Sequence, residues 1–331
     1  MSGSRAFRSA AWIVAVLLLL SACSSPRLTA EGSADPATGG PPSAAETVGE
    51  SLPSSASEQQ KRSSPSDTVL DVLVIGNSFT TGWPDELCGM LREIGVKVNF
   101  YSAYHGGSAL KDHWNWVQGD KAEYKLRHFT HTGGASAEGP VTLDYCLSKA
   151  DWDLISIQEA FIPVAKENFD EASFKQNAAE LASDLYGYLR SRCPDATFLW
   201  HQTWAVEVGC IRKNTAVRTQ ADQDEMYRII REVGDQVAPA NGARLIPTGT
   251  AFQLARAAGS GDLSRGDGCH DGAESGGQYL NACVWFECLT GESCVGSTFR
   301  PRKYSLSEER VALLQQAAHR AVEEFANGSE G

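Results

Sequence analysis

Ser78 stands in the run Ile75-Gly76-Asn77-Ser78-Phe79-Thr80, directly after an almost unbroken aliphatic stretch. Far down the chain, Asp267-Gly268-Cys269-His270 sets a carboxylate three residues ahead of an imidazole. A neutral hydroxyl is a poor nucleophile until a positioned base removes its proton. An Asp at that spacing can accept from the Nδ1–H of the His, fix its tautomer and leave Nε2 to take the serine proton. Ser78, His270 and Asp267 are therefore the candidate nucleophile, base and orienting acid, with Asp271 as the other carboxylate that could orient the ring. Three groups could donate to a developing oxyanion: the N–H of Ser78, the N–H of Gly107 in His105-Gly106-Gly107-Ser108, and the side-chain amide of Gln158. Each has a plainer role. A serine after a buried strand also serves as a helix N-cap, Gly107 as a turn with positive φ, and Gln158 as a strand-end group bonded to backbone.

Other residue types raise the same choice. His105, His113 and His201 are expected to be structural or rim residues, although each could shape a pocket. Trp114, Trp116, Trp200 and Trp204 are expected to fill the core, because most indoles bury their area; an exposed one could stack on a sugar. No CxxC pair and no His/Cys pair with ligand spacing occurs, so neither a zinc site nor any cofactor is expected.

The elements that must position Ser78 and His270 can be read from hydrophobic pattern. Residues 69–75 (Val-Leu-Asp-Val-Leu-Val-Ile) predict a strand buried on both faces, as in a parallel sheet. Further strands are predicted over 96–104, 151–158, 197–204 and 244–248, and a helix over 84–94. Phe174, Ala178, Leu181, Leu185 and Tyr188 make one helical stripe, and Met226, Ile229, Ile230 and Val233 another. Ser305 and Glu308 have the spacing of a capping box for a last helix that Gly328 ends. Alternating strands and helices predict an α/β fold with a central parallel sheet of about five strands between helical layers. Ligands collect at the carboxyl ends of such strands, and Ser78, the His105–Ser108 turn and Gln158 all follow predicted strands. Residues 104–151 are the poorest in pattern and are expected to be a loop-rich insertion.

The N-terminal segment is an address label. Arg5 and Arg8 precede an apolar run of about eleven residues over 10–20, too short to span a bilayer core of ~30 Å. It ends in Leu20-Ser21-Ala22-Cys23, which resembles a bacterial lipobox; an ordinary secretory signal is the alternative. Residues 1–22 are thus expected to be a lipoprotein signal peptide and Cys23 the lipidated residue, anchoring the chain to a membrane in the cell envelope. Residues 23–67, dominated by Ser, Ala, Pro and Gly, are expected to be a disordered tether, and 68–328 the folded domain. The net charge of −12 disfavours nucleic acid as a partner, and a monomer is expected. Eight cysteines besides Cys23 (88, 146, 193, 210, 269, 283, 288 and 294) suggest disulfides in an exported domain, with buried thiols as the alternative. If Cys283 and Cys288 share a helix, ~7.5 Å separates their Cα atoms, too far for a bridge, and Cys294 is the nearer partner. A nucleophilic Cys269 is disfavoured because oxidation competes outside the cytoplasm.

Taken together, these blocks resemble the SGNH hydrolases (the GDSL superfamily), in the variant opening Gly76-Asn77-Ser78-Phe79. Asp267-Gly268-Cys269-His270 is similar to that superfamily's Asp-x-x-His block. Gly107 falls where its second-block glycine sits, followed by Ser108-Ala109-Leu110 and His113; Gly277-Gln278-Tyr279-Leu280 and Leu289-Thr290-Gly291-Glu292 resemble an uncharacterised bacterial branch. The resemblance covers roughly residues 69–291. It implies a flavodoxin-like three-layer sandwich and ester hydrolysis through an acyl-enzyme, the substrate expected to be an acetylated or short-chain acylated carbohydrate. Two positions depart from the pattern. Ile157-Gln158-Glu159 stands where Gly-x-Asn-Asp is usual, and Asn77 where Asp is commoner. The first departure keeps open a glycan-binding lipoprotein without activity, and an acyltransferase would use the same groups.

Overall fold

The computed structural model describes residues 69–159, 162–164, 166–212 and 215–328. The expected signal peptide, Cys23 and the tether lie outside the described residues. The first strand, β1 (Val69–Gly76), carries Val72 to Ile75 at no more than 1 % exposure. Each such aliphatic side chain contributes roughly 1.5–3 kcal/mol when fully buried. β1 pairs in parallel with β2 (Lys97–Tyr104) on one side and β5 (Leu154–Ile157) on the other. Parallel pairing continues to β6 (Thr197–His201) and β7 (Arg244–Ile246). The chain runs one way from β1 through α1 (Pro84–Glu93) to β2. It runs the other way from β5 through α4 (Glu171–Arg192) to β6, and through α5 (Gln220–Ala240) to β7. Right-handed crossovers in opposite directions place helices on opposite faces of one sheet. The strand order reverses beside β1, which makes the rim after β1 the crevice where such sheets bind ligands.

The five parallel strands β2-β1-β5-β6-β7 match the expected parallel sheet, and two antiparallel strands, β3 (Tyr124–Thr130) and β4 (Ala135–Val141), extend it to seven in the order β4-β3-β2-β1-β5-β6-β7. The two extra strands lie in the region expected to be a loop-rich insertion. That region holds α2 (Leu110–Gln118), β3 (Tyr124–Thr130), β4 (Ala135–Val141) and the short α3 (Leu143–Leu147). β3 and β4 join antiparallel at the β2 edge. Residues 135–140 of β4 are all exposed, so no apolar alternation marks the strand in the sequence, and Gly139 and Pro140 blunt it as an edge. The last strands are shorter than predicted: β5 ends before Gln158, β6 at His201 and β7 at Ile246, leaving the polar residues beyond them at the rim.

The C-terminal third is helical. α6 (Thr248–Ala257) and α7 (Gly277–Thr290) lead to α8 (Glu308–Gly328). All but two residues of α7 are buried, which is how a helix apolar on every side behaves. α8 starts two residues later than the capping-box reading requires: Ser307 Oγ, not Ser305, accepts from the Arg310 N–H at 3.2 Å. All eight described cysteines are free thiols, which corrects the expected disulfide framework. Burial pushes the thiols of Cys88, Cys146 and Cys288 up to about 12, so they pack as small apolar groups. Cys283 and Cys288 do share α7, and the thiol of Cys283 lies beside that of Cys294 and raises its pKa, while Cys294 Sγ donates to the Gln315 carbonyl at 3.5 Å. Among the described residues no helix is long and apolar enough to cross a membrane.

Candidate active site

The turn after β1 is built around Asn77, which is 1 % exposed. Its Oδ1 accepts from the Phe79 N–H (3.1 Å) and from Gln158 Nε2 (3.0 Å). Its Nδ2 donates to the Ser108 carbonyl at 2.7 Å. One amide thus ties together the loops after β1, β2 and β5. A carboxylate here could not donate to Ser108, which gives a physical reason for Asn in place of Asp. The same turn winds Ser78–Thr80 into a single 3-10 turn, with Ser78 half-buried at its start. Gly76 is required by close approach: a Cβ there would lie 2.9 Å from both Gln158 Cδ and Thr80 Cγ2.

Gln158 is held at both ends of its amide. It is 2 % exposed, and both ends of its amide are engaged: Nε2 with Asn77, and Oε1 with His201 Nδ1 at 3.1 Å. His201 Nε2 in turn lies 3.2 Å from Thr248 Oγ1. Burial pushes the His201 pKa down to about 3, so the ring is neutral, donates through Nδ1 and accepts at Nε2. Gln158 is therefore a strut under the Asn77 turn, buried on the inner side of it. Gly107 sits in the left-handed region at φ 74°, exposed, in the turn that Asn77 holds through Ser108. The constraint on it is conformational, since a Cβ would meet nothing within 4 Å.

On the other side of the turn stands the loop carrying His270. Its Nδ1 is 2.6 Å from Asp267 Oδ2, while Asp267 Oδ1 accepts from the backbone N–H groups of Cys269 and His270, both at 2.9 Å. Burial alone would raise the Asp267 pKa. The hydrogen bonds from the His270 backbone and ring, from Cys269 and from Arg265 outweigh it and hold the carboxylate below its usual range. Arg265 Nε donates to Asp267 Oδ2 at 3.0 Å, and Arg212 Nη2 donates to the Asp267 carbonyl at 2.9 Å. Neither arginine was singled out in the sequence; Arg265, two residues before Asp267, is the one its spacing could have flagged. Asp271 does not orient the ring. It is 2 % exposed, its Oδ2 lacks a hydrogen-bond partner, and burial together with the nearby Glu86 raises its pKa to about 8.

Two aromatic contacts bring the halves together. Phe79, the residue after Ser78, has its ring centroid 6.1 Å from the His270 ring and 4.5 Å from Trp204. Trp204 Nε1 donates to the Cys269 carbonyl at 2.9 Å, fastening the His270 loop to the rim of β1. Trp200 and Trp204 are core residues, as expected, whereas Trp114 and Trp116 are half-buried. His113 is buried between Ser108 Oγ (3.1 Å) and Tyr124 OH (2.8 Å) and is structural. His105 bonds the Glu123 carbonyl through Nδ1 at 2.7 Å, at the rim. Among the described residues, no group of three or more His, Cys, Asp or Glu could hold a metal ion.

A serine at the topological switch point of a mostly parallel α/β sheet, followed by a phenylalanine packed near a carboxylate-paired histidine, defines the class: a doubly wound α/β protein with polar side chains on its carboxyl rim. Within that class the chain belongs to the DUF4886 family, a domain of unknown function, which matches residues 71–321. A DUF4886 family protein from Bacteroides uniformis is 26 % identical and superposes with a TM-score of 0.68 over 77 % of this chain and 95 % of its own. A candidate SGNH hydrolase from Slackia heliotrinireducens is 22 % identical, TM-score 0.45, over 68 % and 100 %. A variant of Axe2, an acetyl xylan esterase from Geobacillus stearothermophilus, is 15 % identical, TM-score 0.40, over 69 % and 97 %. No curated protein matches the sequence.

Proposed function

We propose that this protein is a serine carboxylic ester hydrolase of the SGNH type that removes acetyl or other short acyl groups from a carbohydrate. The observation that carries the reading is the 2.6 Å contact between His270 Nδ1 and Asp267 Oδ2, on a loop packed against the residue that follows Ser78. With Nδ1 committed to Asp267, Nε2 is the free basic nitrogen. Ser78 Oγ adds to the ester carbonyl as His270 Nε2 takes its proton. The tetrahedral intermediate collapses, and the imidazolium gives that proton to the departing sugar oxygen, leaving an acyl-serine. Water, deprotonated by the same nitrogen, then adds to the acyl carbon and releases the carboxylic acid and the Ser78 hydroxyl. The N–H groups of Ser78 and Gly107 receive the oxyanion. Gln158, expected among those donors, supports them through Asn77.

The lipobox-like Leu20-Ser21-Ala22-Cys23 supports an envelope location, with the domain held outside the cytoplasm by lipid on Cys23. Hydrolysis of p-nitrophenyl acetate with a burst of nitrophenol equal to the enzyme present is the expected result, abolished in Ser78→Ala. Turnover that survives Ser78→Ala would defeat the proposal.

A further inference from the structure

A cleft of about 650 Å³ opens next to the Ser78 turn. Its inner end is formed by Gly107 and Ser108, the turn that Asn77 holds beside Ser78. From there it runs outward between α2 and α4. α2 supplies Lys111, Trp114 and Asn115, spaced to share one helix face, and α4 supplies Phe174, Asn177 and Asp184. That volume is far more than an acetyl group fills and falls within the ~300–1,000 Å³ of ligand-sized sites.

The lining decides what the cleft would hold. Trp114 and Phe174 are half-buried and keep part of their rings open to it. Around them stand two ammonium groups (Lys111, Lys166), two amides (Asn115, Asn177) and three carboxylates (Glu159, Glu180, Asp184), most of them on exposed residues. An extended acyl chain would strip water from those polar groups and return no hydrogen bonds. Among the described residues the two lysines of this lining are outnumbered by three carboxylates, which disfavours a polyanion. A sugar suits both parts: its C–H face packs on an indole, and its hydroxyls both donate and accept at the rim. Resting on the serine esterase reading, we infer that the α2–α4 cleft binds the sugar portion of an O-acylated, uncharged oligosaccharide, with Trp114 as the stacking platform that sets preference for glycan esters.

The test uses the full chain and four probes: O-acetylated xylotetraose, O-acetylated cellotetraose, p-nitrophenyl acetate and p-nitrophenyl octanoate. Trp114→Ala is expected to lower the ratio of kcat/KM on the oligosaccharides to kcat/KM on p-nitrophenyl acetate about tenfold, with Trp114→Phe restoring most of it. An unchanged ratio, with p-nitrophenyl acetate still hydrolysed, overturns the cleft assignment and leaves the esterase standing. A loss specific to the octanoate makes the cleft an acyl groove and likewise overturns it. If the wild type hydrolyses no ester, the esterase reading fails and the cleft is judged by calorimetry. Oligosaccharide binding weakened about tenfold in Trp114→Ala supports it, and no binding to either oligosaccharide overturns it.

Discussion

His270 and His201 both lie close to the Ser78 turn, and the fold treats them in opposite ways. The side chain of His270 is 19 % exposed and its partner is a carboxylate, Asp267. His201 is 1 % exposed and its partners are a neutral amide and a hydroxyl, Gln158 and Thr248. A carboxylate stabilises the imidazolium that forms when a base takes a proton, whereas burial among neutral groups forbids that charge. The same side chain is therefore suited to act as a base in one setting, the role proposed for it, and to be a neutral strut in the other. What separates them is the charge of the partner and the access of water.

Exchanging the two histidines for apolar residues should separate activity from stability. His270→Ala is expected to reduce kcat on p-nitrophenyl acetate by about a thousandfold or more, with the melting temperature little changed. His201→Phe should leave Gln158 Oε1 without its donor, costing about 1–3 kcal/mol, or roughly 2–4 °C in Tm for each kcal/mol in a domain of this size. Activity and Tm measured on both variants check the contrast. If His201→Phe abolished turnover at an unchanged Tm, the strut assignment would be wrong.

How far the sequence revealed this arrangement depends on how local each signal is. β1 and the Asp267–His270 spacing were legible, because an aliphatic run and a three-residue offset are both short-range patterns. β4 was not, because an exposed edge strand has no apolar side to display. Gln158 was located correctly at a strand end, yet its direction is set by Asn77 and His201, 81 and 43 residues away. The choice between Asp267 and Asp271 was open in the sequence. It is decided by burial: Asp271 faces the interior beside Glu86, and Asp267 faces the ring.

That last contrast yields an expectation for the pH dependence of stability. The Asp271 pKa is raised to about 8 from an ordinary unfolded value near ~3.9, so the folded state holds a proton that the unfolded state releases. Its contribution to stability is fully present below that unfolded value and is lost as pH rises through about 8. Asp271→Asn, which stays neutral, should flatten the fall in Tm between pH 5 and 8. Parallel declines in the wild type and the variant, followed by calorimetry, would show that Asp271 titrates normally.

The central claim is that an early hydroxyl is activated by a late imidazole, and covalent trapping tests it most directly. Treating the protein with a fluorophosphonate and mapping the modified peptide by mass spectrometry should place the adduct on Ser78 alone, with labelling slowed by orders of magnitude in His270→Ala. An adduct on another residue, or labelling of Ser78 at the same rate without His270, would contradict the account.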